Sequence, residues 1–560
     1  MTADGAREYD VIIAGYGPTG ATLAGLLGMR GIRALVLERE DTVWPLPRAG
    51  TCDDEALRIW QSLGIADTLM REFLPQERIL FVDSREREFF RLERPTGFGF
   101  GWNPLCMTYQ PLIERVIRER VARLPSIEVR LGHAVESFDD SEGGVTVHAR
   151  ERQSGDAFSA RARYLIACDG GKSAIRTQLG VEFPGTTYQQ WLVVDGAVAD
   201  PSKLPQHMIY HCDPRRPTCT FPQALRHHRW QFMLRAGETR EQMETDEIAE
   251  QLLAPWSGLT GIELIRHAVY IYHSRIATRW KTGRVLLAGD AAHVMPPFGG
   301  QGMNSGVRDA GSLAWRLALV IRGRADPAIL ETYETERRPH VRHMVTMSVV
   351  FATILTTRNR PLAFARDLFF RTLRHTPKIG RFFRRGDFKP MSTYPRGFMT
   401  GGRRRGRHAA AGTMIAQPMV TSGSGQRVRF DDLLGAEWSV VAMNTDPRAV
   451  VDLETALMWE GLPARFVRVV PAGASRSDAG GAETVEDGDG ELGEWFARHR
   501  VNLAVVRPDK IVFGACDARR DGAPSELARA LRSALNAPVE RLPSGGRRLS
   551  TGVMRQPTAG

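Results

Sequence analysis

Val11-Ile12-Ile13-Ala14-Gly15-Tyr16-Gly17-Pro18-Thr19-Gly20 decides the fold. Four apolar residues that read as a buried strand run into a glycine turn, and the turn opens a helix-like stretch from Ala21 to Arg30. In this context Gly15 permits the tight turn, Gly17 lets the backbone approach a pyrophosphate, and Gly20 allows close helix–strand packing. Backbone N–H groups at the helix start, together with Pro18 and Thr19, then face the phosphates, where the helix dipole favours negative charge. A second strand, Arg33-Ala34-Leu35-Val36-Leu37, ends at Glu38 and Arg39, and an acid in that place can hydrogen-bond an adenosine ribose. Strand, turn, helix, strand and terminal acid together predict a βαβ dinucleotide-binding unit.

The uncharged run from Val11 to Met29 is nearly long enough to span a bilayer. Its glycine and proline density argues against a membrane helix, and the acidic residues Asp4, Glu8 and Asp10 ahead of it argue against a secretory leader. A cytoplasmic protein is expected.

At 560 residues the chain can hold two or three domains, and 42% hydrophobic with 25% charged residues is ordinary for an enzyme. Its six cysteines form no CxxC pair, so neither a metal site nor a disulfide framework is suggested. The net charge of +11 is local: between Arg358 and Arg407 fifteen Lys or Arg face two acids, Asp367 and Asp387, and the rest of the chain is slightly acidic. The end of this segment, Gly401 to Arg407, reads as a solvated linker, with docking to a partner or an anionic surface as the alternative, and no nucleic-acid motif accompanies it.

A second segment complements the first. Val285-Leu286-Leu287-Ala288-Gly289-Asp290 is a buried strand delivering a carboxylate to a turn, where Asp290 could hold the ribityl hydroxyls of a flavin. After Ala291-Ala292-His293-Val294-Met295 comes a loop containing Pro297, which leads into a helix N-terminus at Gly302-Met303-Asn304. Such a terminus can set N–H groups and positive potential against a reduced, anionic flavin ring. His293 is expected to pack or hydrogen-bond near the flavin rather than act as a base.

With these motifs the chain resembles the class A flavoprotein aromatic monooxygenases. Gly15 to Gly20, the Asp169-Gly170 pair and Gly289-Asp290 occur in the family's order, and Pro47-Arg48-Ala49, Asp53 to Arg58 and Gln110-Pro111-Leu112 also match. Within the family the similarity, to about residue 350, runs to the 3-(3-hydroxyphenyl)propanoate/3-hydroxycinnamate hydroxylases, although Pro297-Phe298-Gly299-Gly300 departs from their usual residues. The resemblance implies FAD as cofactor, with Arg48, Gln110 and Asp169 among its contacts, and NADH or NADPH as electron donor. It also implies O2 and a phenolic acid as substrates, with neither nucleic acid nor membrane as partner and a homodimer left open. The rival readings are hydroxylation of another phenol or a polyketide ring, and a non-catalytic flavin-binding sensor.

The implied fold is α/β, a Rossmann-like FAD-binding domain with an inserted antiparallel-sheet substrate domain. The expected limits are 1–182 and 281–400 for the two parts of the FAD-binding domain and its helices, and 183–280 for the substrate sheet. A linker at 401–424 and a thioredoxin-like C-terminal domain at 425–560 follow, the latter without the CxxC that dithiol exchange needs. A hydroxylase acting ortho to a phenol benefits from a base or relay near the ring. Tyr270, Tyr272 and His273 are the candidates, and Arg226 and Arg229 are the candidate partners of a substrate carboxylate.

Overall fold

The computed structural model describes residues 8–93, 100–258, 260–400, 409–449, 462–474 and 482–536; the cluster 401–407 lies outside them. The first strand, Glu8–Ala14, is central in a parallel sheet, flanked by Ala34–Leu37 on one side and Ala157–Ala167 on the other. Ile127–Arg130 extends the sheet beyond Ala34–Leu37, and Val285–Leu287 pairs in parallel with Ala157–Ala167. That last pairing brings the two motifs, far apart in sequence, to the same sheet edge. One end of the strand Ala157–Ala167 pairs with the antiparallel Gly144–Glu151 and the other with the first strand.

The uncharged helix Pro18–Gly28 is buried from Gly20 onward, packed between the sheet and the helices Gln110–Val121 and Gln301–Ile321. A helix that is apolar all round is a core helix in a large domain, which explains why the run resembled a membrane span. Among the described residues no helix is long and apolar enough to cross a membrane.

The second sheet is mostly antiparallel. Across it run Ile262–Ile276, Gly185–Val198, His227–Met233, Thr218–Gln223 and Met208–His211, then Arg78–Val82 and Glu88–Glu93. The last two strands come from before residue 183, so the sheet draws on chain that sequence reasoning gave to the cofactor unit. Helices Glu331–Leu355, Arg360–Leu373 and Pro377–Arg385 follow, and the latter two cover the strand Glu88–Glu93.

The C-terminal unit is a seven-stranded mixed sheet with helices Glu491–His499 and Ala523–Asn536. It docks on the first domain through buried ion pairs. Arg58 Nε and Nη2 reach Asp431 at 2.5 and 2.8 Å, and Arg507 grips Glu336 at 2.8 and 2.9 Å. The indole of Trp315 donates to Asp509 at 3.0 Å across the same seam.

Candidate active site

At the end of the first strand Gly15 has φ +99°, and its N–H donates to the Leu37 carbonyl at 2.8 Å. A Cβ there would stand 2.3 Å from the Cys168 carbonyl oxygen, and one at Gly20 would stand 2.1 Å from the Gly15 oxygen. Both glycines are therefore demanded by backbone meeting backbone. Gly17 differs: a Cβ would meet nothing within 4 Å, so its face is open. It caps the helix Pro18–Gly28 without a side-chain bond, and the first helical N–H with a partner is that of Ala21, bonded to the Gly17 carbonyl at 2.9 Å. The N–H groups of Thr19 and Gly20 remain for a ligand.

Gly17 stands where two lobes of a trough meet, one of about 220 Å³ and one of about 300 Å³, with Pro18, Arg48, Gln110, Cys168 and Gly170 shared between their walls. Glu38 and Arg39 line the smaller lobe. The Glu38 carboxylate accepts from the Tyr16 N–H at 2.6 Å and the Glu40 N–H at 3.0 Å, so it also braces the glycine turn. Gln110 accepts from the Ala49 N–H at 2.7 Å and donates to Glu114 at 2.8 Å, fastening the 47–50 loop between the lobes.

Asp169 and Asp290 are among the carboxylates that line this trough. Ser173 caps the short helix Ala174–Gln178, and Asp169 just ahead of it accepts from the Ile175 N–H at 3.4 Å, while the buried Asp169 Oδ1 has no partner. Burial pushes its carboxyl up, against the bonds from Ser173 and Ile175. Asp290 is open to the larger lobe but enclosed by protein behind; that enclosure raises its pKa, opposed by His293 and Arg48. An orphaned carboxylate oxygen, a bare glycine turn and an uncapped helix start are a donor and acceptor set that fits FAD, with the pyrophosphate at Gly17 and hydroxyls at the carboxylates.

The Gly289–Asp290 turn is held from behind. His293 is fully buried and meets Asp309 at 2.7 Å; Asp309 also accepts from the Gly289 N–H at 3.0 Å and from Arg337 at 2.8 Å. Burial works against the Asp309 charge, but Arg337 and His293 outweigh it and hold its carboxyl below the usual range. His293 thus positions the turn from outside the trough. Val285, Leu286, Leu287 and Ala288 are core residues, and Ala291 and Ala292 are buried beside them. The trough wall here consists of Asp290, Val294, Met295 and Pro297.

The helix expected near Gly302 begins at Gln301, capped by Gly300 at φ +65°. A Cβ on Gly300 would stand 1.8 Å from Thr51 Oγ1. Gly302 and Met303 of its first turn line the larger lobe. Asn304 instead ties loops together, donating to the Gly300 carbonyl at 2.7 Å and accepting from the Asp53 N–H at 3.3 Å.

The far wall of the larger lobe is built from alternate residues of three neighbouring strands: Met208 and Tyr210, Cys219 and Phe221, Arg229 and Gln231. Cys219 lies opposite both Tyr210 and Gln231, and Phe221 lies opposite Arg229. The Arg229 row continues through the sheet, because Asp195 is opposite both Arg229 and Arg266. Asp195 is fully buried and accepts from Arg229 at 2.6 and 3.1 Å and from Arg266 at 3.1 Å. Both arginines also donate to the Pro47 carbonyl, at 2.6 and 2.7 Å, and Arg229 donates to that of Arg48 at 2.8 Å. Two cations around one anion leave a net positive charge at the base of the 47–50 loop.

Sequence reasoning found Arg229 in this wall and missed Tyr210, Gln231, Asp195 and Arg266. The period-two pattern in Met208-Ile209-Tyr210 was readable, but which strands lie side by side was not. Four candidates stand elsewhere. Tyr270, Tyr272 and His273 sit on Ile262–Ile276, which the strand Gly185–Val198 separates from the three lobe strands. The Tyr270 hydroxyl accepts from Arg266 at 2.6 Å. Tyr272 packs on Trp191 and Phe298, and burial pushes its phenol up. His273, on the opposite face, bonds Thr187 at 3.0 Å. Arg226 occupies the exposed turn between two strands with φ +60°. None of the four lines the lobe.

Residues 8–348 match the family model described as FAD binding domain, and 412–533 match that of the HcaD C-terminal domain. A 3-(3-hydroxy-phenyl)propionate/3-hydroxycinnamic acid hydroxylase 2 of Burkholderia vietnamiensis is 37% identical over 92% of this chain and 95% of its own. The chain belongs to the FAD-dependent hydroxylase family. A second relative, a 3-(3-hydroxy-phenyl)propionate/3-hydroxycinnamic acid hydroxylase of a Mycobacterium species, is 38% identical over 92% of this chain and 90% of its own. In fold the chain resembles the flavin-dependent monooxygenase PieE, solved in complex with FAD and substrate. The TM-score is 0.79 at 21% identity, covering 94% of this chain and 99% of that one. FAD is accordingly the cofactor of this hydroxylase, and the sensor reading is set aside.

Proposed function

We propose that the chain hydroxylates 3-(3-hydroxyphenyl)propanoate, and 3-hydroxycinnamate, ortho to the phenol. The balanced reaction takes substrate, NADH, a proton and O2 to the 2,3-dihydroxyphenyl product, NAD⁺ and water. The observation that carries this reading is the buried Arg229–Asp195–Arg266 cluster behind a lobe wall that also carries Tyr210, Cys219, Phe221 and Phe298, with relatives named for a phenylpropanoid acid. Hydride acceptance and oxygen activation are supplied by bound FAD.

The protein's own part is placement. Arg229 spends four of its five N–H groups on Asp195, Pro47 and Arg48, and the fifth, on Nη1, is left for a substrate carboxylate. Gln231 and the Tyr210 hydroxyl offer hydrogen bonds to the phenol. Burial holds the Tyr210 phenol protonated, so Tyr210 donates to or relays from the substrate oxygen and does not act as a base itself. Glu38, Asp169 and Asp290 are assigned to the cofactor's hydroxyls and Gly17 to its pyrophosphate. A cytoplasmic setting, where NADH is available, fits the reaction.

The test is product analysis with the purified, FAD-loaded protein across phenylpropanoid acids, uncharged phenols and polyketide phenols. The proposal expects ring hydroxylation with the acids first. Efficient turnover of a polyketide phenol, with none of the acids, would replace this substrate class by the rival one.

A further inference from the structure

Helices Arg360–Leu373 and Pro377–Arg385 form a hairpin on the outside of the substrate sheet. Its inner face is well satisfied. Phe370 packs on Phe90 with ring centroids 4.9 Å apart, and Arg371 pairs with Asp83 at 2.5 Å. The outer face should then be polar, as on any surface helix. It is not. Leu362, Phe364, Leu368 and Phe369 of the first helix and Ile379 and Phe382 of the second all face outward, Phe364 being 69% and Leu362 62% exposed. Of the fourteen exposed large hydrophobic residues among those described, eight fall between Val350 and Met391. Scattered exposed apolar residues are ordinary, whereas such a concentration marks a binding surface.

The same face is cationic. Arg358, Arg360, Arg374, Lys378 and Arg381 are exposed and have no acidic partner among the described residues. On the second helix Lys378 and Arg381 stand directly beside Ile379 and Phe382. Part of the basic character that the sequence places between Arg358 and Arg407 is therefore carried by a structured apolar face.

We propose that this hairpin seats the enzyme on an anionic lipid surface. Phenyl and leucyl side chains enter the acyl boundary while the flanking guanidinium and ammonium groups stay at the phosphates, the division that interfacial amphipathic helices use. A second copy of the chain fits less well, since a two-fold contact would set this cationic face against itself. The helices lie on the bilayer and do not cross it. The expectation of no membrane partner is revised to this extent.

Vesicle flotation of the full-length FAD-loaded protein tests the proposal, with phosphatidylcholine vesicles with and without phosphatidylglycerol, at low and high salt. The protein is expected to float with the anionic vesicles at low salt and to stay behind with the neutral ones. The bound fraction should fall roughly tenfold at high salt and in each of two double variants, F364Q/F369Q and K378E/R381E. Both variants change only exposed side chains, so melting temperature and NADH oxidation in solution should be unchanged. Failure of the wild type to bind anionic vesicles, or equal binding by both variants, would overturn it. So would light scattering that shows a dimer abolished by both variants, which would put a second copy on this face.

Discussion

The two lobes of the trough are built on opposite principles. The dinucleotide lobe is made by backbone: Gly15 and Gly20 are there because main chain meets main chain within 2.3 Å of where a Cβ would be, and Gly17 because nothing fills its place. The ring lobe is made by side chains from three strands, anchored on a buried Arg–Asp–Arg row. The first kind of site tolerates almost no change and binds a group common to many enzymes. The second kind can change residue by residue, and the proposed function puts substrate choice there.

If that contrast holds, the largest effect comes from breaking the row. Asp195→Ala leaves two buried arginines without their anion and should cost about 3–5 kcal/mol of stability, measured by denaturant unfolding. Gly17→Val sharpens the other side. The protein has room for the side chain, so the apo fold should melt normally while FAD affinity falls roughly a hundredfold or more, read by fluorescence titration. A fold lost together with the affinity would show that Gly17 is structural like Gly15. Arg229→Leu should raise KM for phenylpropanoid acids roughly tenfold to a hundredfold with a smaller change in kcat. Uncharged phenols should be unaffected, and an equal loss with them would remove Arg229 as the carboxylate partner.

The smallest effect is in pH dependence. Burial, with Arg337 and Arg308, holds His340 down to about 3, below its ordinary 6.5. A His with a lowered folded value is protonated first in the unfolded chain, so stability falls as pH drops from 6.5 towards 3. His340→Gln should flatten that slope in melting curves without altering FAD affinity at neutral pH.

The backbone-built lobe was legible because its signals are short-range: a turn, a helix start and a terminal acid lie within one βαβ unit. Asp290 was legible for the same reason. The side-chain-built lobe was not, because Asp195, Arg229 and Arg266 become neighbours only through strand pairing across 71 residues of sequence. Tyr270 and Tyr272 drew notice as polar aromatics on a strand, yet one intervening strand separates theirs from the lobe. His293 was expected to pack or hydrogen-bond beside Asp290, but its partner, the buried Asp309 behind the turn, could not be read from sequence. The outward phenylalanines of 360–385 were not legible, because the sequence does not say which face of each helix the substrate sheet covers.

The central claim is that this trough hydroxylates a phenylpropanoid acid ring. Mass spectrometry of the product formed from 3-(3-hydroxyphenyl)propanoate, NADH and ¹⁸O2 tests it most directly. The account predicts the 2,3-dihydroxyphenyl acid carrying one labelled oxygen on the ring. Consumption of NADH with no labelled ring product from any phenylpropanoid acid would contradict it.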